Sequence, residues 1–200
     1  MIYNKLDQLV ALEASEIPAP KVILREGLSS LRVKDIKDEW YPFLGRKEKH
    51  FKGKDIVWVP NRAKANRRIS KIRSRDFIVA YEPKVREFRV HVLGSRWVSI
   101  SEKVLDGQYI DNPNIRGNLI WAHRYGWKHI VMNPDDSIRA DVARIALEAA
   151  KALKFDFGAV DVMLSPDNVL KVFEINSAPS LNNRRTAKYV KYFIAEYGKF

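Results

Sequence analysis

The stretch Phe157 to Leu181, FGAVDVMLSPDNVLKVFEINSAPSL, constrains the fold more than any other part of the chain. Val160, Val162 and Leu164 alternate before Ser165-Pro166-Asp167-Asn168, and Val169, Val172 and Ile175 follow it, so two short apolar strands joined by a tight turn are predicted. Asp161 lies in the first arm, Glu174 and Asn176 in the second. Residues two apart on a strand share a face, so Glu174 and Asn176 point the same way. Antiparallel pairing then gathers three oxygen-bearing side chains at one end of a sheet. Two carboxylates and a carboxamide make a hard-oxygen set suited to Mg2+ (or Mn2+), which keeps some waters and takes further ligands from phosphates. The competing reading is a polar strand face turned to water. Apolar residues bracket all three polar ones, which favours the metal.

Asp161, the turn, and Phe173-Glu174-Ile175-Asn176 followed by Pro179 resemble the metal-binding end of the ATP-grasp superfamily. These carboxylate–amine ligases include the D-alanine ligases and the RimK-type ligases. The resemblance implies an α+β fold, with two α+β subdomains clasping ATP between antiparallel sheets. It implies one unit over residues 1–200, a small lid subdomain near 21–80, and a core subdomain near 81–200 joined by the N-terminal helix 1–20. In that family the Asp, Glu and Asn hold the magnesium ions that bridge the ATP phosphates, and they correspond to Asp161, Glu174 and Asn176.

Composition narrows the class of protein. A hydrophobic share of 46% is enough for a core, and the absence of cysteine excludes disulfides, thiolate zinc sites and a cysteine nucleophile. No apolar run approaches the ~20 residues of a membrane span, and the opening MIYNKLDQLVALEASE lacks the pattern of a signal peptide. A cytoplasmic protein with no membrane partner is expected. The net charge of +12 favours polyanions, whether nucleic acid, acidic protein segments or a triphosphate.

Lys5 to Glu16 carries Leu6, Leu9, Val10 and Leu12 on one side, as an amphipathic helix does, and Ile17-Pro18-Ala19-Pro20 ends it before the strand Val22-Ile23-Leu24. By the resemblance Lys5 reaches the ATP phosphates; otherwise it is a solvated first-turn lysine. Trp40 to Val59 reads as strand, loop, strand, with Tyr41 to Leu44 and Ile56 to Val59 extended. Gly45 and Gly53 frame a loop carrying Arg46, Lys49, His50, Lys52 and Lys54. Backbone amides in such a loop close over phosphates. The resemblance places Arg46, where the family carries a lysine, and Lys54 at the nucleotide, against the alternative of a solvated basic hairpin. Asn61 to Arg75 is densely basic and reads as a helix with Ala63, Ile69 and Ile72 inward, or as a loop. A nucleic-acid contact competes here with a solvated positive face, and no stacking aromatic is interleaved.

Phe77 to Tyr81 is a strand, Glu87 to Leu93 alternates, and Trp97 to Ile100 follows a Gly94-Ser95 turn. Glu87, Arg89 and His91 share one face, so a carboxylate and a cation stand side by side. The alternative is a cross-strand salt bridge on a wet sheet. The stretch resembles the ATP-grasp adenine hinge. By that match the backbone around Ala80, Tyr81 and Glu82 holds adenine, Glu87 meets the ribose hydroxyls, and Lys103 faces the phosphates. Arg116-Gly117-Asn118-Leu119 resembles the R-x-N-L segment of RimK-type ligases, in which the arginine reads the transferred phosphate. Arg116, Lys103 and Arg89 are therefore the expected catalytic cations. Ser137 to Lys154 is a helix capped by Ser137, and Arg184 to Tyr197 is a basic amphipathic helix with Val190, Phe193, Ile194 and Tyr197 inward.

The resemblance implies a carboxylate substrate that attacks the γ-phosphate with release of ADP, and an amine acceptor, a peptide or protein among the candidates, that displaces phosphate from the acylphosphate to form an amide. Arg46, Pro179-Ser180 and Ala159 depart from the D-alanine ligase pattern and point to the RimK-like branch. The family's leading α/β domain has no counterpart here, so a partner subunit, a second copy or a large substrate is expected to complete the acceptor site. The rival expectation is a nucleic-acid-binding or regulatory protein that keeps the fold and joins nothing.

Overall fold

A computed structural model describes residues 4–48, 56–111, 121 and 123–198. Nine strands form two antiparallel sheets among these residues. The smaller holds β1 (Val22–Leu24), β2 (Phe43–Arg46), β3 (Val57–Val59) and β4 (Phe77–Ala80) in the order β1-β4-β2-β3. The larger holds β5 (Arg86–Leu93), β6 (Arg96–Leu105), β7 (Trp127–Val131), β8 (Phe157–Leu164) and β9 (Leu170–Asn176) in the order β7-β6-β5-β8-β9. Among the described residues four α-helices, α1 (Lys5–Ala14), α2 (Arg62–Arg73), α3 (Arg139–Ala152) and α4 (Asn183–Tyr197), pack around them.

The predicted hairpin is β8–β9, with Asn168 in the left-handed region at φ 61° in its turn. Its second arm explains an oddity of the sequence. Val172 and Ile175 are three apart and both buried, which a strict two-residue alternation forbids. A bulge opposite Asp161 and Val162 inserts Phe173, so β9 re-phases: Val172 and Ile175 both reach the core, while Glu174 pairs with Asp161 and Asn176 with Ala159. The main core lies on the other face of the sheet. There Phe88, Val90 and Val92 of β5 and Val160 and Val162 of β8 meet Val142, Ile145, Ala146, Ala149 and Leu153 of α3.

Several local expectations need correction. Helix α3 starts at Arg139 and has no side-chain cap from Ser137. Asp136, held by Arg86, accepts from the Ile138 amide at 3.3 Å and serves the helix start instead. In α2 the buried residues are Ala65 and Ile72, whereas Ala63 is exposed. Three of that helix's arginines donate to carbonyls of neighbouring segments: Arg62 to Val33 and Ile36, Arg68 to Trp58, and Arg73 to Leu31. The strand β7, Trp127–Val131, has no counterpart among the strands expected from the sequence. It is an edge strand whose sequence, WKHIV, does not alternate apolar and polar residues, the local signal that identifies a strand.

The C-terminal helix departs most from expectation. Val190, Phe193, Ile194 and Tyr197 are exposed, by 44–61%, and Tyr189 is the buried residue. The Tyr189 hydroxyl donates to the Gly158 carbonyl (3.0 Å) and meets His91 Nδ1 (3.1 Å), which fixes α4 across one end of the large sheet. Gly158 leaves no room for a side chain, since a Cβ there would stand 2.9 Å from the Asn176 carbonyl oxygen.

Candidate active site

Cross-strand register assembles the site on the face of the large sheet opposite α3. Arg89 on β5 pairs with Asp161 on β8, which pairs with Glu174 on β9, and residues directly opposite share a face. Arg89 donates to both Asp161 oxygens, Nε at 2.7 Å and Nη2 at 2.8 Å. Asn176 Nδ2 donates to the same carboxylate at 3.2 Å. Two residues along β5, Glu87 is buried between Lys84 and Lys103, both of which donate to it. Lys84 also lies over the rings of Trp121 (4.7 Å) and Phe173 (5.5 Å).

Helix α1 brings Lys5 to this face. Gln8 imitates a neighbouring strand: its Nε2 donates to the Ile175 carbonyl (3.0 Å) and its Oε1 accepts the Ile175 amide (2.9 Å), satisfying the free edge of β9. Lys5 lies three residues earlier on the same helix face and forms an ion pair with Glu174. The smaller sheet contributes Arg46 at the end of β2, which is buried and lies within electrostatic reach of both Lys5 and Glu174. In the hinge, the Ala80 amide donates to the Lys21 carbonyl (2.8 Å) and the Tyr81 amide to the Pro42 carbonyl (3.0 Å), while the Glu82 carboxylate pairs with Lys171 at 2.7 Å.

The electrostatics follow from burial. Desolvation opposes ionisation of Asp161, yet the Arg89 guanidinium outweighs it and holds the carboxyl below the usual carboxylate value. Desolvation lowers the Lys5 and Lys84 ammoniums despite their glutamate partners, and it lowers Arg46 as well. His91 and His129 are pushed down to about 4, by burial first and then by surrounding cations including Arg89. Both imidazoles are therefore neutral at pH 7. The unfolded chain binds protons at these two positions below about pH 6.5, whereas the folded chain does so only near 4, so stability is expected to fall as pH drops through that window. Denaturant titrations from pH 7 to pH 4 test this, and His91→Gln should flatten part of the slope.

The structure thus brings together Lys5, Arg46, Glu87, Arg89, Lys103, Asp161, Glu174 and Asn176. It places Ala80, Tyr81 and Glu82 at the crossing from the small sheet to the large. Lys54 and Arg116 lie outside the described residues. Sequence reasoning missed Gln8, whose role depends on a strand edge 167 residues away, and Lys84, which has no motif of its own. The three expected metal donors fit a hard divalent cation in chemistry. Each carboxylate is closed by a cation, however, and among the described residues no three His, Asp or Glu side chains cluster as metal ligands would.

No family model matches the sequence, and no curated protein does. Solved structures do match. A D-alanine–D-alanine ligase from Bacillus anthracis superposes with a TM-score of 0.70 at 14% identity, over 95% of this chain and 62% of that one. The ATP-grasp ligase PsnB, complexed with minimal precursor, gives 0.64 at 15% identity, over 90% and 54%. An N5-carboxyaminoimidazole synthetase from Staphylococcus aureus, complexed with ADP, gives 0.65 at 13%, over 89% and 45%. These neighbours are ATP-grasp ligases, and the chain has the ATP-grasp fold. It spans roughly half to three-fifths of their length. Among the described residues no helix is long and apolar enough to cross a membrane.

Proposed function

We propose that the chain is the nucleotide-clasping part of an ATP-dependent carboxylate–amine ligase of the RimK-like branch, working through an acylphosphate. One observation carries this reading: on one sheet face each of three buried or half-buried acids is matched by a cation that another ligand could recruit. Arg89 pairs with Asp161, Lys5 with Glu174, and Lys84 and Lys103 with Glu87. Such a face can exchange internal pairs for those of a bound nucleotide, its lysines turning to the phosphates as its acids take up Mg2+ or ribose hydroxyls.

Asp161, Glu174 and Asn176 would hold Mg2+, which neutralises phosphate charge when bound. Lys5, Lys84, Lys103 and Arg46 orient the triphosphate and stabilise the charge that develops on its oxygens as a substrate carboxylate attacks the γ-phosphorus and ADP leaves. An amine then displaces phosphate from the acylphosphate, giving the amide. With the Ala80 and Tyr81 amides engaged internally and Pro83 lacking one, the adenine edge would meet the Glu82 amide and the hinge carbonyls.

Calorimetric titration with a non-hydrolysable ATP analogue, with and without Mg2+, tests the nucleotide site. Magnesium-dependent binding that Lys103→Ala weakens at least tenfold is expected, and no binding under either condition refutes the reading. An acceptor screen that reads ADP release and product mass then identifies the joined pair.

A further inference from the structure

Beyond Arg89 and Lys103, the same sheet face continues into a cavity of about 170 Å3 between β6, β7 and the first turns of α4. Its floor carries Ser99, Ser101 and His129, and its walls carry Arg139, Arg184, Arg185 and Lys188. Among the described residues no carboxylate lines it. Among the described residues none of these four cations forms an ion pair, in contrast to the acid-matched cations of the neighbouring site. Arg139 lies over Trp97 at 5.0 Å, which fixes its guanidinium at the rim. Burial, and then the neighbouring Arg89 guanidinium, lowers Arg185. Buried polar atoms wait here too: among the described residues Ser99 Oγ, His129 Nδ1 and Arg139 Nε have no hydrogen-bond partner, and behind the lining the same holds for Nε2 of His91, the cross-strand partner of Ser99. Buried polar groups are ordinarily paired, so this many orphans in one cationic recess marks the place of a ligand.

We infer that the cavity binds the multiply charged anionic end of a small substrate, a group bearing at least two negative charges as carboxylate or phosphate. The inference deepens the ligase reading, and rests on it, in placing that group beside the reacting centre. One carboxylate would leave most of the four cations unmatched. The volume corresponds to about six waters at ~30 Å3 each, well below the ~300–1,000 Å3 of a drug-sized site, so the cavity takes a charged end group and not a nucleotide. Ser99 and Ser101 supply hydroxyl donors, and the guanidinium forks suit the paired oxygens of either anion.

Isothermal titrations with citrate, pyrophosphate and acetate, each with and without the ATP analogue, test the inference. Citrate or pyrophosphate should bind at least tenfold more tightly than acetate, and whichever wins names the source of the charge. Ser99→Leu, which fills the recess, and the double variant Arg139→Gln/Lys188→Gln should each weaken that binding at least tenfold. ATP-analogue affinity should stay within twofold in both variants. Pyrophosphate seated at Lys5, Lys84 and Lys103 would be indifferent to Ser99→Leu. Polyanion binding that both variants leave intact, or polyanions no tighter than acetate, overturns the inference. Loss of analogue binding in the unaltered protein would sink the nucleotide reading and leave the anion site standing.

Discussion

Asp161→Asn is expected to lower folding stability by about 3–5 kcal/mol, the usual cost of removing one partner from a buried ion pair. The Asp161 side chain is 6% exposed and that of Arg89 26%, and two short hydrogen bonds join them. Neutralising the carboxylate leaves a desolvated guanidinium near Arg185 without its bidentate partner, and the remaining acids within reach, Glu174 and Glu87, are already held by lysines. The midpoint of chemical denaturation should fall while its slope stays unchanged. The double variant Arg89→Met/Asp161→Leu removes both charges at similar volume and should recover most of the loss. A single substitution costing less than about 1 kcal/mol would mean the pair behaves as an exposed salt bridge. The pH dependence has a definite sign. Because the folded-state pKa of Asp161 lies below the ordinary 3.8, its contribution is present above that value and disappears as pH falls through the lower, folded one. In the variant this acid limb should vanish, while the slope from the two histidines between about 6.5 and 4 remains.

The hairpin and its three oxygen donors were legible because strand alternation and a Pro-Asp-Asn turn are local signals. Even there the bulge at Phe173 was visible only as a puzzle, the three-residue spacing of Val172 and Ile175. The face shared by Glu87, Arg89 and His91 followed from period two alone. Which partner each would take did not, since Lys84 and Lys103 reach Glu87 from different elements. Helix α4 shows the limit most plainly. Its apolar stripe predicts a helix with one greasy side, but periodicity says nothing about what covers that side. Tyr189 against the sheet, with Tyr192 beside it and Glu196 paired to Arg96, sets the rotation of the helix that leaves Phe193 and Ile194 outward. The edge strand β7 is hidden in the sequence for a related reason: pairing with β6 defines it, and WKHIV does not alternate apolar and polar residues.

Glu174→Gln separates the two roles open to this carboxylate. In the structure it holds Lys5, and in the proposed reaction it would hold Mg2+. Glutamine keeps the shape and an accepting oxygen but removes the charge a divalent cation needs. The expected result is a loss of ATP turnover on the order of 100-fold or more, comparable to deleting a group that stabilises transition-state charge. The fold should survive, because the pair is partly open to solvent, with side-chain exposures of 14% and 21%. ATP-analogue binding should persist and lose its dependence on Mg2+. Lys5→Met breaks the same ion pair from the other side and should act differently, raising the KM for ATP while the magnesium dependence stays. If the two variants share one signature, Glu174 serves only to place Lys5. If Glu174→Gln turns over ATP at the unaltered rate, the carboxylate is no metal ligand, and the cation-matched face has to be explained as a structural network.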